Sequence, residues 1–328
     1  MAIACLAALI FLFTNYVLVP WLWSTKPFNL GMAVEFNNHA TSAWVALHEG
    51  WFAEEGINLT CFESYVTGVE LSAALARGDI SAAYLCLAPA LMSYARGVPI
   101  KIVAGSHLHG FAIVAKPEIE SLSDLEGKTI GCTKEGTQSD LLLHAAIEKY
   151  NLADLDVRRM NPPMQVSALI AGKIDAICAP EFWCTLAASQ GFRVIARSQD
   201  VWPDMQGSVL VVKEELIEEH PEVVRKLVKI TNRGTEFIHD SPSEAAEILY
   251  GELTKADVKG LSADVLNVLG GEMNLVTPSL LEESMANLDY RTEINVASVQ
   301  ECINALYKLG YIDNAFNATD VLDLSFEG

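Results

Sequence analysis

Three short stretches place small and hydroxyl-bearing residues where a strand-like run gives way to a helix-like run. They are EFNNHATSAW, SYVTGVE and GCTKEGTQSD, which begin at Glu35, Ser64 and Gly131. At such junctions the free backbone N–H groups and the positive end of the helix dipole can bind an anion or a carbonyl oxygen. Any one of these stretches could equally be an ordinary helix cap. Together they indicate capture of a polar ligand.

The third stretch resembles a nucleotide-binding loop but lacks its essential residues. Gly131 and Gly136 have the spacing of a P-loop, yet Thr137 and Gln138 follow where that loop requires Lys and then Ser or Thr. We therefore do not expect this turn to hold a triphosphate with its magnesium ion.

Further candidate residues follow other strand-like runs. Pro89 comes after the run ending LCL, and His107 and His109 stand in GSHLHGF. The segment APEFW adds Glu181 and Trp183 directly after a buried run. Parallel strands would bring these segments to one edge of a sheet, close to the three junctions.

The sequence lacks the common motifs of catalysis and metal binding. The chain has no G-x-S-x-G, no H-E-x-x-H and no G-x-G-x-x-G after a strand. His107 and His109 would need a further ligand to hold a metal, and His39 is the one nearby candidate. Cys132 has no histidine that we can place beside it. We predict no catalytic residue, no metal and no cofactor.

Composition excludes several classes of partner. The chain has 328 residues, of which 51% are hydrophobic and 20% charged, with a formal net charge of −20. This chain is therefore long and apolar enough for two packed domains. Its negative charge argues against binding nucleic acid or an anionic membrane surface.

The first 25 residues differ from the rest. Residues 2 to 24 are uncharged and mostly apolar, and about 20 such residues can cross a bilayer as a helix. We expect residues 1–25 to be an uncleaved membrane anchor with the body outside the cytoplasm. A cleaved signal peptide, giving a secreted or periplasmic protein, is the alternative. Of the seven cysteines, Cys61, Cys86, Cys132 and Cys178 lie in apolar, strand-like contexts that suggest buried thiols, although a disulfide stays open.

Strand-like and helix-like runs alternate along the body. The order is βαβαβαβ up to about residue 115, and a second α/β unit runs from about 116 to 204. One more strand follows, and the remainder is helical in texture. This pattern predicts an α/β fold of mostly parallel sheets with flanking helices, arranged as two lobes with a ligand cleft between them.

Several phrases resemble substrate-binding proteins of nitrate/sulfonate/taurine-type ABC importers, which are periplasmic-binding-protein-like. They are GVPIKIVAG, SLSDLEGKTIG, LIAGKIDA and the helix start EHPE, in order between residues 28 and 250. The resemblance implies a type II two-lobed fold with a helical C-terminal segment. Lobe I would comprise residues 27–115 and 209–328, and lobe II residues 116–208, joined by two crossovers. The resemblance extends to proteins that bind thiamine-precursor pyrimidines.

The resemblance also implies which residues bind the ligand. By position, the cleft draws on segments 38–41, 67–68, 87–89, 133–139 and 180–183. The ligand-binding residues expected from these segments and from the strand ends above are Asn38, His39, Thr41, Thr67, Gly68, Pro89, His107, Thr133, Thr137, Ser139, Glu181 and Trp183.

The function expected from the resemblance is capture without chemistry. A monomeric receptor would bind a sulfonate, nitrate or related oxyanion and deliver it to an ABC permease with its ATPase. Glu181 would repel a bare anion, so a neutral or zwitterionic ligand such as taurine is a rival. The resemblance is also compatible with a same-fold enzyme of the pyrimidine-synthase or chorismate-dehydratase type, and with a sensor for a membrane kinase.

Overall fold

The computed structural model describes residues 26–259 and 262–326. Across these two ranges no helix combines the length and apolar character needed to cross a membrane. The membrane anchor or signal segment expected at residues 1–25 lies outside the described residues.

The strands fall into two main sheets and one small one. In chain order the described strands are β1 (Phe28–Glu35), β2 (Ile57–Tyr65), β3 (Ala82–Cys86), β4 (Ile100–Gly105), β5 (His107–His109), β6 (Phe111–Ala115), β7 (Thr129–Cys132), β8 (Asp156–Arg159), β9 (Ala176–Pro180), β10 (Arg193–Arg197), β11 (Ser208–Lys213), β12 (Val258–Lys259) and β13 (Leu288–Tyr290).

The first main sheet has the order β12-β2-β1-β3-β11-β4 and the second β10-β6-β9-β7-β8, while β13 pairs with β5. In the first sheet β1 is parallel to β2 and β3, and β11 runs antiparallel between β3 and β4. In the second sheet β7 is parallel to β8 and β9. The expected α/β fold with parallel strands is confirmed.

Helices cover the sheets. The described α-helices are α1 (Thr41–His48), α2 (Trp51–Glu54), α3 (Gly68–Arg77), α4 (Leu87–Ala95), α5 (Gln138–Tyr150), α6 (Pro162–Ile170), α7 (Glu181–Ser189), α8 (Ser198–Val201), α9 (Glu214–Glu219), α10 (Pro221–Asp240), α11 (Pro242–Lys255), α12 (Ala263–Met273), α13 (Pro278–Met285), α14 (Val296–Lys308) and α15 (Ala318–Val321). The predicted helical C-terminal segment is present, with the short strands β12 and β13 inserted in it.

Local sequence explains where several helices begin and end. The hydroxyl of Thr137 accepts the N–H of Asp140 and so caps α5, and Thr277 caps α13 in the same way. The run 41–56 reads as one helix in the sequence but forms two. Gly50 adopts a φ of 73° between α1 and α2, a backbone conformation that glycine reaches without steric cost.

The sheets divide the chain slightly differently from the predicted lobes. Strand β6 pairs with β9 and β10 in the second sheet, so Phe111–Ala115 does not belong with lobe I as the predicted boundary after residue 115 had it. The chain thus crosses between sheets before residue 111 and returns between β10 and β11. The boundary was misplaced because the continuous apolar run of β6 contains no break that marks a crossover.

Candidate functional site

A cavity lies between the two sheets at the ends of their strands. The space there that protein atoms do not fill amounts to about 290 Å³, which includes space open to solvent. Glu35, Cys86 and Pro180, the last residues of β1, β3 and β9, line it, which is where ligands bind open α/β sheets. The complete lining is Glu35, Val66, Thr67, Gly68, Cys86, Pro89, Phe111, Thr133, Thr137, Gln138, Ser139, Pro162 and Pro180.

The Glu35 carboxyl forms one end of the cavity and is held in place by donors. The backbone N–H of Cys86 donates to Oε1 at 2.7 Å, and the Cys86 thiol donates to Oε2 at 3.2 Å. The side-chain amide of Asn37 adds a bond of 3.3 Å to Oε2. Burial raises the pKa of Glu35, opposed by these hydrogen bonds. The group is therefore fixed in position and carries a charge that depends on what faces it.

A close backbone approach lets Glu35 reach this position. A Cβ atom on Gly68 would lie 2.5 Å from Oε1 of Glu35 and 3.1 Å from Cγ of Pro89. Glycine at the first position of α3 thus leaves room for the carboxyl and for the packing of Pro89 behind it.

Hydroxyl groups line the opposite wall. The Oγ1 atoms of Thr133 and Thr137 lie 2.5 Å apart, and Thr137 donates to the carbonyl of Lys134 at 2.8 Å. Thr133 is therefore the donor to Thr137. On the Glu35 side, the buried Thr67 hydroxyl has no hydrogen-bond partner within residues 26–259 and 262–326. A bound solute could satisfy it.

The charge of the lining is one-sided. Among the described residues no lysine, arginine or histidine lines the cavity, and Glu35 is its one carboxyl group. The rest of the lining is uncharged, with apolar contacts from Val66, Phe111 and three prolines beside the hydroxyl and amide groups. A cation or an N–H donor has a natural partner here, whereas an anion meets no opposite charge.

Some of the N–H groups at the helix N-termini around the cavity have internal partners. Glu35 accepts the N–H of Cys86 just before α4, and Asp140 accepts the N–H of Gly136 at 3.1 Å before α5. Helix α6 starts with Pro162 and Pro163, which have no N–H to offer. Part of the N–H capacity at α4, α5 and α6 is therefore used or missing, whereas α3 begins in the cavity wall at Gly68 without a side-chain cap.

Several contacts join segments that lie on the two sides of the cavity. The side chain of Gln138 accepts the N–H of Ala88 at 2.9 Å and donates to the carbonyl of Gln206 at 2.8 Å. Nearer the surface, Lys308 pairs with Glu148 at 2.7 Å. The segments on the two sides of the cavity are thus in contact.

Six of the twelve predicted ligand-binding residues line this cavity. They are Thr67, Gly68, Pro89, Thr133, Thr137 and Ser139. These residues come from the second and third polar junctions and from the start of α4. The structure therefore brings together the segments that follow β2, β3 and β7.

The other six predicted residues lie outside the lining. Asn38 donates to the Ser284 hydroxyl at 2.8 Å, and Thr41 bonds the carbonyl of Asn38 at 2.7 Å. His107 is buried with its ring 4.4 Å from that of His39, and the N–H of Ser208 donates to its Nε2. His39 donates to the carbonyl of Gly110 at 2.9 Å. These groups support the cavity from behind.

Glu181 and Trp183 are also placed differently from the prediction. Both are fully buried at the start of α7. Glu181 lies 3.4 Å from Nε of Arg197 and 3.3 Å from the hydroxyl of Thr185. Burial raises its pKa, with Arg197 acting in the opposite direction. Trp183 packs against Phe182 with ring centroids 4.6 Å apart. Glu181 thus faces an internal cation, and Trp183 is a core side chain.

Sequence reasoning missed Glu35, Val66, Cys86, Phe111 and Pro162. Gln138 and Pro180 fell within the segments implied by the resemblance, although neither was singled out. Glu35 and Cys86 are the last residues of adjacent parallel strands, so their positions carried a signal. In the sequence, the last residue of a strand is a weaker indication of a ligand-binding position than the hydroxyl-bearing residues that follow the strand.

Comparisons with known proteins agree with this architecture. A family model described as NMT1/THI5 like matches residues 37–245. The taurine-binding periplasmic protein of Escherichia coli is 27% identical over 208 residues, covering 61% of this chain and 64% of that protein.

Solved structures extend the comparison. The alkanesulfonate-binding protein SsuA of Xanthomonas axonopodis pv. citri superposes with a TM-score of 0.74 at 16% identity, covering 92% of this chain and 99% of that one. The periplasmic nitrate-binding protein NrtA of Synechocystis gives a TM-score of 0.75 at 11% identity, with coverages of 92% and 88%. These two likenesses establish the periplasmic-binding-protein fold. The match to most of its length shows that the chain belongs to the NMT1/THI5-like family.

Proposed function

We propose that this protein is the solute-binding component of an ABC importer, which captures a small amine-bearing solute in the cleft and delivers it to a permease. The fold and the likeness to a taurine-binding periplasmic protein support the transport role. The observation that carries the choice of solute is Glu35, a buried carboxyl with no cationic side chain beside it in the described lining.

The energetic argument favours an amine over a bare oxyanion. A buried carboxylate is costly unless a cation or hydrogen-bond donor faces it, and an ammonium group supplies both. An oxyanion in the same space would meet Glu35 with no cationic side chain in the described lining to offset the repulsion. The sulfonate and nitrate ligands expected from the resemblance therefore fit this cleft less well than a zwitterion, in which an ammonium accompanies the acidic group.

The polarity of the lining narrows the solute further. Its ammonium would face Glu35, its carbon atoms would contact Val66 and Phe111, and its remaining polar groups would meet Thr67 and Thr133. Taurine and related aminosulfonates belong to this class.

Transport follows from a cleft that is built from both lobes. The solute contacts Glu35 on one lobe and Thr133 on the other, so it favours the closed over the open arrangement. The closed form then docks on the permease with its ATPase. We place the protein outside the cytoplasm as a monomer, and we assign it no catalytic step.

A thermal-shift screen of the full chain, purified in mild detergent, tests the ligand class. The screen contains taurine, short amino acids, alkylamines, ethanesulfonate, nitrate, bicarbonate and pyrimidine amines. Compounds with an amine should raise the melting temperature by mass action. Glu35→Gln should remove that shift, while Glu181→Gln, which alters an equally buried carboxyl outside the cavity, should keep it. Stabilisation by ethanesulfonate or nitrate alone, retained in Glu35→Gln, would instead establish an oxyanion receptor.

A further inference from the structure

Behind the cavity, three side chains of different chemistry converge. Glu35 ends β1, Cys86 ends the adjacent parallel strand β3, and His39 stands four residues after Glu35 in the short 3₁₀ helix Asn38–Ala40. Their ligand atoms all lie within 4.8 Å of one another. We propose that Glu35, His39 and Cys86 form a binding site for a divalent transition metal ion such as Zn²⁺ or Co²⁺.

The distances fit a tetrahedral ion. Sγ of Cys86 lies 3.7 Å from Nδ1 of His39 and 3.2 Å from Oε2 of Glu35, and Nδ1 lies 4.0 Å from Oε2. A zinc ion with a Zn–S bond of ~2.3 Å and Zn–N or Zn–O bonds of ~2.0–2.2 Å separates its ligand atoms by roughly 3.3–3.7 Å. Shifts of a few tenths of an ångström would complete the coordination.

The orientation of His39 is set by its other nitrogen. Nε2 lies 2.9 Å from the carbonyl oxygen of Gly110, which can only accept, so Nε2 carries the hydrogen. Nδ1 then holds a lone pair that points toward Cys86 and Glu35. A ring nitrogen fixed by a carbonyl on its far side is the usual arrangement of a metal-binding histidine.

A fourth position is available to the ion. The Ser208 hydroxyl lies 3.4 Å from Nδ1 of His39 and 3.6 Å from Sγ of Cys86. Glu35 and Cys86 also line the cavity, so an ion can enter from the cleft and keep one position open toward it. Cys86 would bind as the thiolate and Glu35 as the carboxylate, each releasing any proton it holds to solvent.

This site uses Glu35, the same carboxyl that the proposed function assigns to the solute. The competition described next therefore rests on the proposed function. Glu35 cannot face an ammonium group and coordinate a metal at the same time, so the metal and an amine-bearing solute should compete. If the metal proposal is wrong, metal-free protein should still bind amines. If the amine proposal is wrong, the protein should still bind the metal ion.

Cobalt titration tests the site directly. Tag-free full chain, stripped with EDTA, is titrated with Co²⁺ while the absorbance of the thiolate–cobalt charge-transfer band is recorded. We expect saturation at one Co²⁺ per chain, reversed by Zn²⁺. Cys86→Ser should abolish the band, and Glu35→Gln and His39→Gln should each weaken Co²⁺ binding at least about tenfold.

Cys61→Ser is the matched control, because Cys61 is partly exposed whereas the other cysteines among the described residues are buried. It should leave the band and the stoichiometry unchanged. No saturable band in the unmodified chain, or a band that survives Cys86→Ser, would overturn the proposal. Circular dichroism of each variant separates lost metal binding from lost folding.

Discussion

At the scale of single residues, the character of the cleft depends on Glu35. The carboxyl is held by the backbone and thiol of Cys86 and by Asn37, so it cannot turn away from the cavity without losing three hydrogen bonds. We expect removal of the Glu35 charge to alter which ligands bind in the cleft more than any substitution of the threonines on the opposite wall.

Gly68→Ala should disturb this group specifically. The added methyl would lie 2.5 Å from Oε1 of Glu35, so the carboxyl or α3 must shift. We expect the free energy of unfolding to fall by about 1–3 kcal/mol, with weaker solute binding. Chemical denaturation and calorimetry measure the two effects.

The control for this substitution is Gly251→Ala, where a Cβ would meet no atom within 4 Å. Alanine inside α11 should be neutral or stabilising by about 0.4–1 kcal/mol. Equal behaviour of the two variants would contradict the close approach of Gly68 to Glu35.

At the scale of elements, the hydroxyl-bearing turn before α5 caps that helix, and we expect it also to bind the ligand. Thr137→Ala should lower stability by about 0.5–2 kcal/mol because the cap of α5 is lost, yet leave the chain folded. Solute affinity should fall by roughly 3–10-fold, because Thr137 accepts the hydrogen bond that orients the Thr133 hydroxyl in the cavity wall. Thr137→Ser should restore both, whereas unchanged affinity in Thr137→Ala would remove this turn from the site.

Gln138 links the lobes, so its removal should act on closure. Gln138→Ala leaves the buried N–H of Ala88 without its partner in the closed form, at a cost of about 1–3 kcal/mol. We expect weaker solute binding and a larger radius of gyration by small-angle X-ray scattering. Gln190→Ala, at an exposed position, is the control and should change neither. A closed, fully binding Gln138→Ala variant would show that this side chain does not govern closure.

The elements themselves were largely readable from the sequence. Continuous apolar runs such as that of β3 predicted buried strands, and helical spacing after polar caps predicted α3 and α5. The two short strands β12 and β13 were missed because two or three residues carry no periodic pattern. Partners distant in the chain, such as Tyr290 beside Thr41 at 3.1 Å, could not be inferred at all.

At the scale of the whole molecule, residues expected from separate segments line one cavity, but the carboxyl expected among them does not. The position at which the chain crosses between the sheets depends on which strands pair, and no local stretch of sequence determines the strand order. Glu181 was therefore expected in the cleft, while the structure pairs it with Arg197 and puts Glu35 there instead. The choice between an anionic and an amine-bearing ligand therefore depends on Glu35 and not, as the sequence led us to expect, on Glu181.

The most direct measurement compares two ligands that differ in one group. Taurine and 2-hydroxyethanesulfonate share the sulfonate and the carbon chain, but only taurine carries an ammonium group. Isothermal titration calorimetry on metal-free protein should give taurine at least about tenfold higher affinity in the unmodified chain, a difference of about 1.4 kcal/mol. In Glu35→Gln the ratio should fall close to one. Equal affinity for both sulfonates in the unmodified chain, or a ratio unaffected by Glu35→Gln, would contradict the assignment of Glu35 as the group that selects the solute.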